Sequence, residues 1–138
     1  MGRGRKKKTG NNELTPLETL FMKVMWKQGS VTAAEMEKAL SNRRPLAYTT
    51  IHTVMSNMRK KGFIEPVPTI ERAIRFSPSV SKEKVAGRSL KKILKDFFDG
   101  SPERLMAHVI KEEKMGVDEL REIRTMLNRY EKKESVRS

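Results

Sequence analysis

Residues 48–62 read Tyr48-Thr49-Thr50-Ile51-His52-Thr53-Val54-Met55-Ser56-Asn57-Met58-Arg59-Lys60-Lys61-Gly62. Ile51, Val54, Met55 and Met58 recur at helical spacing, which predicts a helix from Tyr48 to Lys61 with one apolar side, and Gly62 suits its left-handed stop. At roughly 100° per residue the opposite side carries Thr49, Thr53, Ser56 and Lys60, flanked by Thr50, His52 and Asn57. Solvated helix faces ordinarily fill with Glu and Lys, which are good helix formers, but this one has three Thr, a Ser, a His and an Asn and no acidic residue. Short hydroxyl side chains fit the major groove of duplex DNA, where they bond to base edges or lay a methyl against thymine, and Asn can pair with adenine. Arg43, Arg44, Arg59, Lys60 and Lys61 surround the helix with positive charge suited to phosphate contacts, which fix position without reading sequence. A polar face turned toward a protein partner is the other reading of the same residues.

The flanking sequence supplies a frame for this helix. Thr15-Pro16-Leu17-Glu18 combines a capping hydroxyl, a proline in the first turn and a Glu three residues on, opening a helix over about residues 16–28. Its stripe is Leu17, Leu20, Phe21, Val24 and Met25, with Trp26 read as core. Ser30 and Val31 form an extended lead into a second capping box, Thr32-Ala33-Ala34-Glu35, and a short helix with Met36, Ala39 and Leu40 on its apolar face. Ser41-Asn42-Arg43-Arg44-Pro45 breaks that helix before Tyr48, whose ring is left open between packing and a phosphate bond. After Gly62, residues 63–67 and 73–76 are β-prone runs separated by Pro68-Thr69-Ile70-Glu71-Arg72, a hairpin in which Pro66 argues for an edge position. Three helices followed by a hairpin form the winged helix-turn-helix pattern, with the third helix presented to DNA. Arg72 at the hairpin tip would reach an adjacent phosphate or the minor groove.

From Ser81 the chain turns to long charged helices. The first carries Val85, Leu90, Ile93, Leu94, Phe97 and Phe98 and stops near Asp99-Gly100. Ser101-Pro102 opens the next, with Leu105, Met106, Val109 and Ile110. A break at Met115-Gly116 leads into the last, with Leu120, Ile123, Met126, Leu127 and Tyr130. Three helices of this size bury too little apolar surface to stand alone, so pairing with a second copy is expected. The expected seam is Leu90, Ile93, Leu94, Phe97, Leu105, Val109, Leu120, Ile123, Leu127 and Tyr130. The fold class is mainly α with a small β-hairpin wing: a basic arm at 1–12, a winged-helix domain at 13–80, a three-helix dimerisation domain at 81–132 and a flexible tail at 133–138.

Composition narrows the partner. The 138 residues carry 30 Lys and Arg against 17 Asp and Glu, a formal net charge of +13, so an anionic partner is expected. Residues 1–80 hold fifteen basic and six acidic side chains, against fifteen and eleven in residues 81–138, which places the anion-binding surface toward the N-terminus. Arg3, Arg5, Lys6, Lys7 and Lys8 sit among glycines with nothing to bury, an arm read either as solubilising or as a minor-groove contact. With no Cys there are no disulfides, thiolate nucleophiles or thiolate metal sites. His52 and His108 lack a second ligand at helical metal spacing, and neither a phosphate-cradling Gly loop nor a nucleophile elbow occurs. An enzyme, a resident metal and a cofactor are therefore not expected. No apolar run suits a membrane span or a secretory signal, so a cytoplasmic protein without membrane insertion is expected. A basic RNA- or ribosome-binding protein would share this charge, but the aromatic stacking platform of single-strand recognition is absent.

Leu14-Thr15-Pro16-Leu17-Glu18, Met22-Lys23-Val24-Met25-Trp26, Arg44-Pro45-Leu46-Ala47-Tyr48-Thr49-Thr50-Ile51 and Lys60-Lys61-Gly62-Phe63-Ile64 together resemble the penicillinase repressor (BlaI/MecI) family. The resemblance continues through Arg72-Ala73, Phe76-Ser77-Pro78, Phe97-Phe98-Asp99-Gly100-Ser101-Pro102 and Asp118-Glu119-Leu120-Arg121-Glu122-Ile123, and covers roughly residues 13–130. It implies a transcriptional repressor that binds a near-palindromic double-stranded operator as a homodimer, of the kind that controls a β-lactamase-type or related stress-response gene. It further implies a membrane-bound sensor protease, or its signalling product, as a partner that triggers cleavage in the dimerisation domain. Relatives are cut at an Asn-Phe bond, whereas the matching position here is His108-Val109. A related copper-responsive branch uses a Cys-rich metal site that this chain does not possess. The inducing signal is left open by the resemblance.

Overall fold

Two capping boxes set the start of the domain. In the computed structural model, which describes residues 13–137, the Thr15 hydroxyl accepts from Glu18 N at 3.1 Å while the Glu18 carboxylate accepts from Thr15 N at 2.9 Å. Helix α1 follows from this cap over Pro16–Gln28 and ends at Gly29, whose φ of 94° a residue with a β-carbon would rarely adopt. Thr32 and Glu35 repeat the reciprocal pair at 3.2 and 3.1 Å and open α2, Ala33–Leu40. Helix α3 spans Tyr48–Lys61 and stops at Gly62 with φ 88°. The basic arm expected at residues 1–12 lies outside the described residues, as does Ser138.

The strands are β1 (Val31–Thr32), β2 (Ile64–Val67) and β3 (Arg75–Pro78), in the order β1-β3-β2 and antiparallel throughout. The hairpin is thus present, but its second strand lies two residues later than the β-prone run at 73–76 suggested. The reason is register: Phe76 stands opposite both Pro66 and Val31, and the extended lead before α2 proves to be a third strand. Pro66 sits on an edge strand, where its missing N–H costs little.

Phe21, Met22, Met25, Val31, Met36, Leu40, Ile51, Met55 and Met58 are fully enclosed, with Val24, Ala33, Phe63 and Ile64 nearly so. Met22 was not in the expected stripe, and Leu17 and Leu20 are only partly covered. Trp26 packs against the core and donates from Nε1 to Val80 O at 2.9 Å, pinning the chain as it leaves β3.

The remaining helices are α4 (Lys82–Phe98), α5 (Pro102–Glu112) and α6 (Val117–Arg137). Ser81 and Ser101 cap α4 and α5 as expected, accepting from Lys84 N and Arg104 N. The chain divides into compact units between Gly87 and Arg88, and Val80 and Val85 pack against the core of the first unit. The break before α6 is made by Lys114, with φ 48°, ahead of the expected Met115-Gly116. Residues 133–137, expected as a flexible tail, continue α6. No helix among the described residues is long and apolar enough to cross a membrane.

Met58 lies under the middle of this core with no exposed surface. Met58→Ala should cost about 2–5 kcal/mol of stability, seen as a lower thermal midpoint by circular dichroism.

Candidate nucleic-acid interface

Burial of Ile51, Met55 and Met58 decides which side of α3 faces outward. Thr49, Thr50, His52, Thr53, Ser56, Asn57, Arg59 and Lys60 are all exposed, as the periodicity predicts. The Thr53 hydroxyl donates to Thr49 O at 3.0 Å, a bond that holds its rotamer and leaves its oxygen lone pairs available as acceptors. The edge-to-face packing of Tyr48 on His52, with centroids 4.5 Å apart, gives Tyr48 a packing role on the helix surface. Ala47 precedes α3 without a side-chain cap and no acidic residue occupies the first turn, so no side chain of that turn offsets the partial positive charge of the helix start.

The wing continues this face. His52, Ser56 and Arg59 share a cleft of about 240 Å³ with Ala73, Ile74 and Phe76, so the polar side of α3 and the base of the hairpin form one surface. Arg72 is exposed in the hairpin loop, and Arg43 and Arg44 are exposed in the connection before α3.

The cations fall into two groups. Arg43, Arg44, Arg59, Lys60 and Arg72 form no ion pair among the described residues. Lys61, by contrast, does not belong to the phosphate-facing ring in which the sequence placed it. Its Nζ lies 2.8 Å from Glu18 Oε1 and donates to Glu13 O at 3.2 Å, tying the end of α3 to the start of α1. Glu18 is only 5% exposed, so this cation is needed where it stands.

Arg75, which sequence reasoning treated only as part of a β-prone run, is engaged as well. Its guanidinium meets Glu71 at 2.8 and 3.0 Å and Glu35 at 3.0 and 2.9 Å. Those hydrogen bonds are the main reason the Glu35 and Glu71 carboxyls titrate below the ordinary carboxylate range, and the same two partners raise Arg75. A carboxyl whose pKa is lower folded than unfolded supports the fold above its unfolded pKa and loses that support as pH falls through the folded value. The clamp is therefore closed at neutral pH and opens only in acid. No local sequence signal marks it, because residues four apart meet here through a loop.

Lys60 and Lys61 should consequently behave differently although adjacent. Lys60→Ala should weaken every duplex alike and lower the salt slope of binding by about one, with the melting temperature unchanged. Lys61→Ala should cost about 3 kcal/mol of stability by stranding Glu18, read by chemical denaturation.

The chain is similar to known proteins. The Penicillinase repressor family model matches residues 14–133. The chain is 31% identical over 120 residues to the transcriptional regulator BlaI of Mycobacterium tuberculosis, covering 86% of this chain and 85% of that one. It is 24% identical over 121 residues to the penicillinase repressor of Staphylococcus aureus, covering 88% and 95%. A solved structure of a MarR mutant from E. coli complexed with operator DNA aligns over 93% of this chain and 88% of that chain, with TM-score 0.49 and 13% identity. By the extent of the family match, this chain belongs to the penicillinase repressor family.

Proposed function

We propose that the protein is a transcriptional repressor that binds a near-palindromic operator in double-stranded DNA as a homodimer in the cytoplasm. The observation that carries this reading is the acid-free side of α3, exposed from Thr49 to Lys60 and bordered by cations that no carboxylate among the described residues neutralises. Thr49, Thr50, His52, Thr53, Ser56 and Asn57 read base edges, while Arg43, Arg44, Arg59, Lys60 and Arg72 hold the phosphates or the flanking minor groove. The family consists of repressors, not enzymes.

A second copy is favoured by the unit that begins at Arg88. None of its described residues is buried, and Leu90, Ile93, Phe97, Leu127 and Tyr130 are exposed, Phe97 to 77%. Leu94, Leu105, Val109, Leu120 and Ile123 are partly covered within the chain and form the floor beneath that seam. Two joined modules would place their α3 helices in successive major grooves about 34 Å apart. The second contact then becomes intramolecular and raises avidity by about a hundredfold or more. Opening the seam releases the operator.

His108-Val109 lies inside α5, and the His108 ring packs 5.2 Å from that of Phe98. A sensor protease, or its signalling product, acting there would have to unwind the helix first. Cleavage would then divide the dimerisation unit and lower occupancy without altering the reading face.

Footprinting the purified protein over its own upstream region tests the reading directly. One protected, near-palindromic site is expected, with affinity falling about a thousandfold or more between 50 and 200 mM salt. A flat salt response, or structured RNA that outcompetes the duplex, would reject it. Thr53→Ala and Ser56→Ala should each narrow the preference for the cognate site by about 1 kcal/mol, measured as the ratio of cognate to random affinity. Leu127→Asp should shift the sedimenting species toward monomer.

A further inference from the structure

The hairpin loop that carries Arg72 buries none of its residues, and only its end, at Ala73 and Ile74, lines the cleft beside α3. Residues 68–74 are exposed without exception, including Ile70 and Ile74. A loop left to solvent samples many conformations, and ordering it at the moment of binding would cost affinity. What fixes it is polar. Arg75 stands on the central strand, paired with Thr32 of β1 and Val67 of β2, where the sheet, the start of α2 and the loop converge.

Every N–H of its guanidinium is used. Nε and one terminal nitrogen grip Glu71, the two terminal nitrogens grip Glu35, and the remaining N–H donates to Ser30 O at 3.2 Å. Both carboxylates are themselves oriented: Glu35 by the amide of Thr32, and Glu71 by the hydroxyl of Thr69, which also accepts from Glu71 N. Arg75 thus has no donor left for a phosphate. Glu71, next to Arg72, would be an acidic group at the edge of a polyanion-binding face if Arg75 did not engage it.

We propose that Arg75 is a positioning residue for DNA binding: without touching the duplex, its double clamp on Glu35 and Glu71 holds the hairpin loop so that Arg72 meets the flank of the site read by α3. The part played by Arg72 rests on the reading proposed above, and the experiment separates the two.

The test uses the full chain and a duplex that it selects from a random pool, with affinity read by fluorescence anisotropy and contacts by hydroxyl-radical footprinting. Glu71→Ala is the decisive variant, because charge and position predict opposite signs. Removing an acid from a basic face should tighten binding if charge alone matters, whereas releasing the loop should weaken it by about fivefold, the scale of one lost cationic contact, and erase protection at the flank. Arg75→Gln should lose the same flank, and Arg72→Ala added to it should cause no further loss. Tighter binding by Glu71→Ala with the flank still protected, or additive losses from Arg72→Ala and Arg75→Gln, would overturn the proposal. If Arg72→Ala binds like the native chain while the other two variants lose the flank, the assignment of Arg72 fails and the positioning role stands. A native chain that selects no duplex would sink the DNA-binding reading and the clamp with it. Glu71 is an exposed loop residue, so its removal tests the clamp even if Arg75→Gln unfolds.

Discussion

The sealing of Ile51, Met55 and Met58 beneath α3 is the constraint on which the rest of the molecule depends. Helix α3 packs on α1, α2 and β2, and each of these buried side chains contributes about 2 kcal/mol by leaving water. Once that side is committed, the helix cannot rotate without exposing it, and the row from Thr49 to Lys60 is held outward as a rigid surface. A face built this way is arranged before any partner arrives, so little ordering cost is left to an encounter. The capping boxes at Thr15 and Thr32 serve the same end by fixing where the two supporting helices begin.

Charge in the first unit is divided by task. Lys61 is spent on a nearly buried Glu18 and Arg75 on two carboxylates, so these cations hold elements together. Arg43, Arg44, Arg59, Lys60 and Arg72 carry no such obligation and remain available around the polar side of α3. Net charge alone does not distinguish the groups. The distinction matters because a paired cation has already lost much of its field to its partner, while an unpaired one retains it for a phosphate.

The unit from Arg88 onward follows a different logic. Its helices carry amphipathic stripes yet enclose none of its described residues, which is the pattern of an element whose core is completed by another surface. In the proposed reading, coupling the exposed face of α3 to such an incomplete core would make DNA occupancy depend on association.

Periodicity and capping chemistry in the sequence determined the helices, the Gly29 and Gly62 stops, the edge position of β2 and the outward row of α3, because these depend on residues within a few positions of one another. The resemblance of motifs such as Tyr48-Thr49-Thr50-Ile51 supplied the family. Tertiary structure alone decided that Val31 pairs with Phe76, that Lys61 faces Glu18, that Val85 belongs with the first unit and that Arg75 bridges Glu35 to Glu71. Those partners lie 40 or more residues apart, or meet through a loop. A local pattern records which face a side chain takes, but the identity of what it meets there is set only when the distant chain arrives.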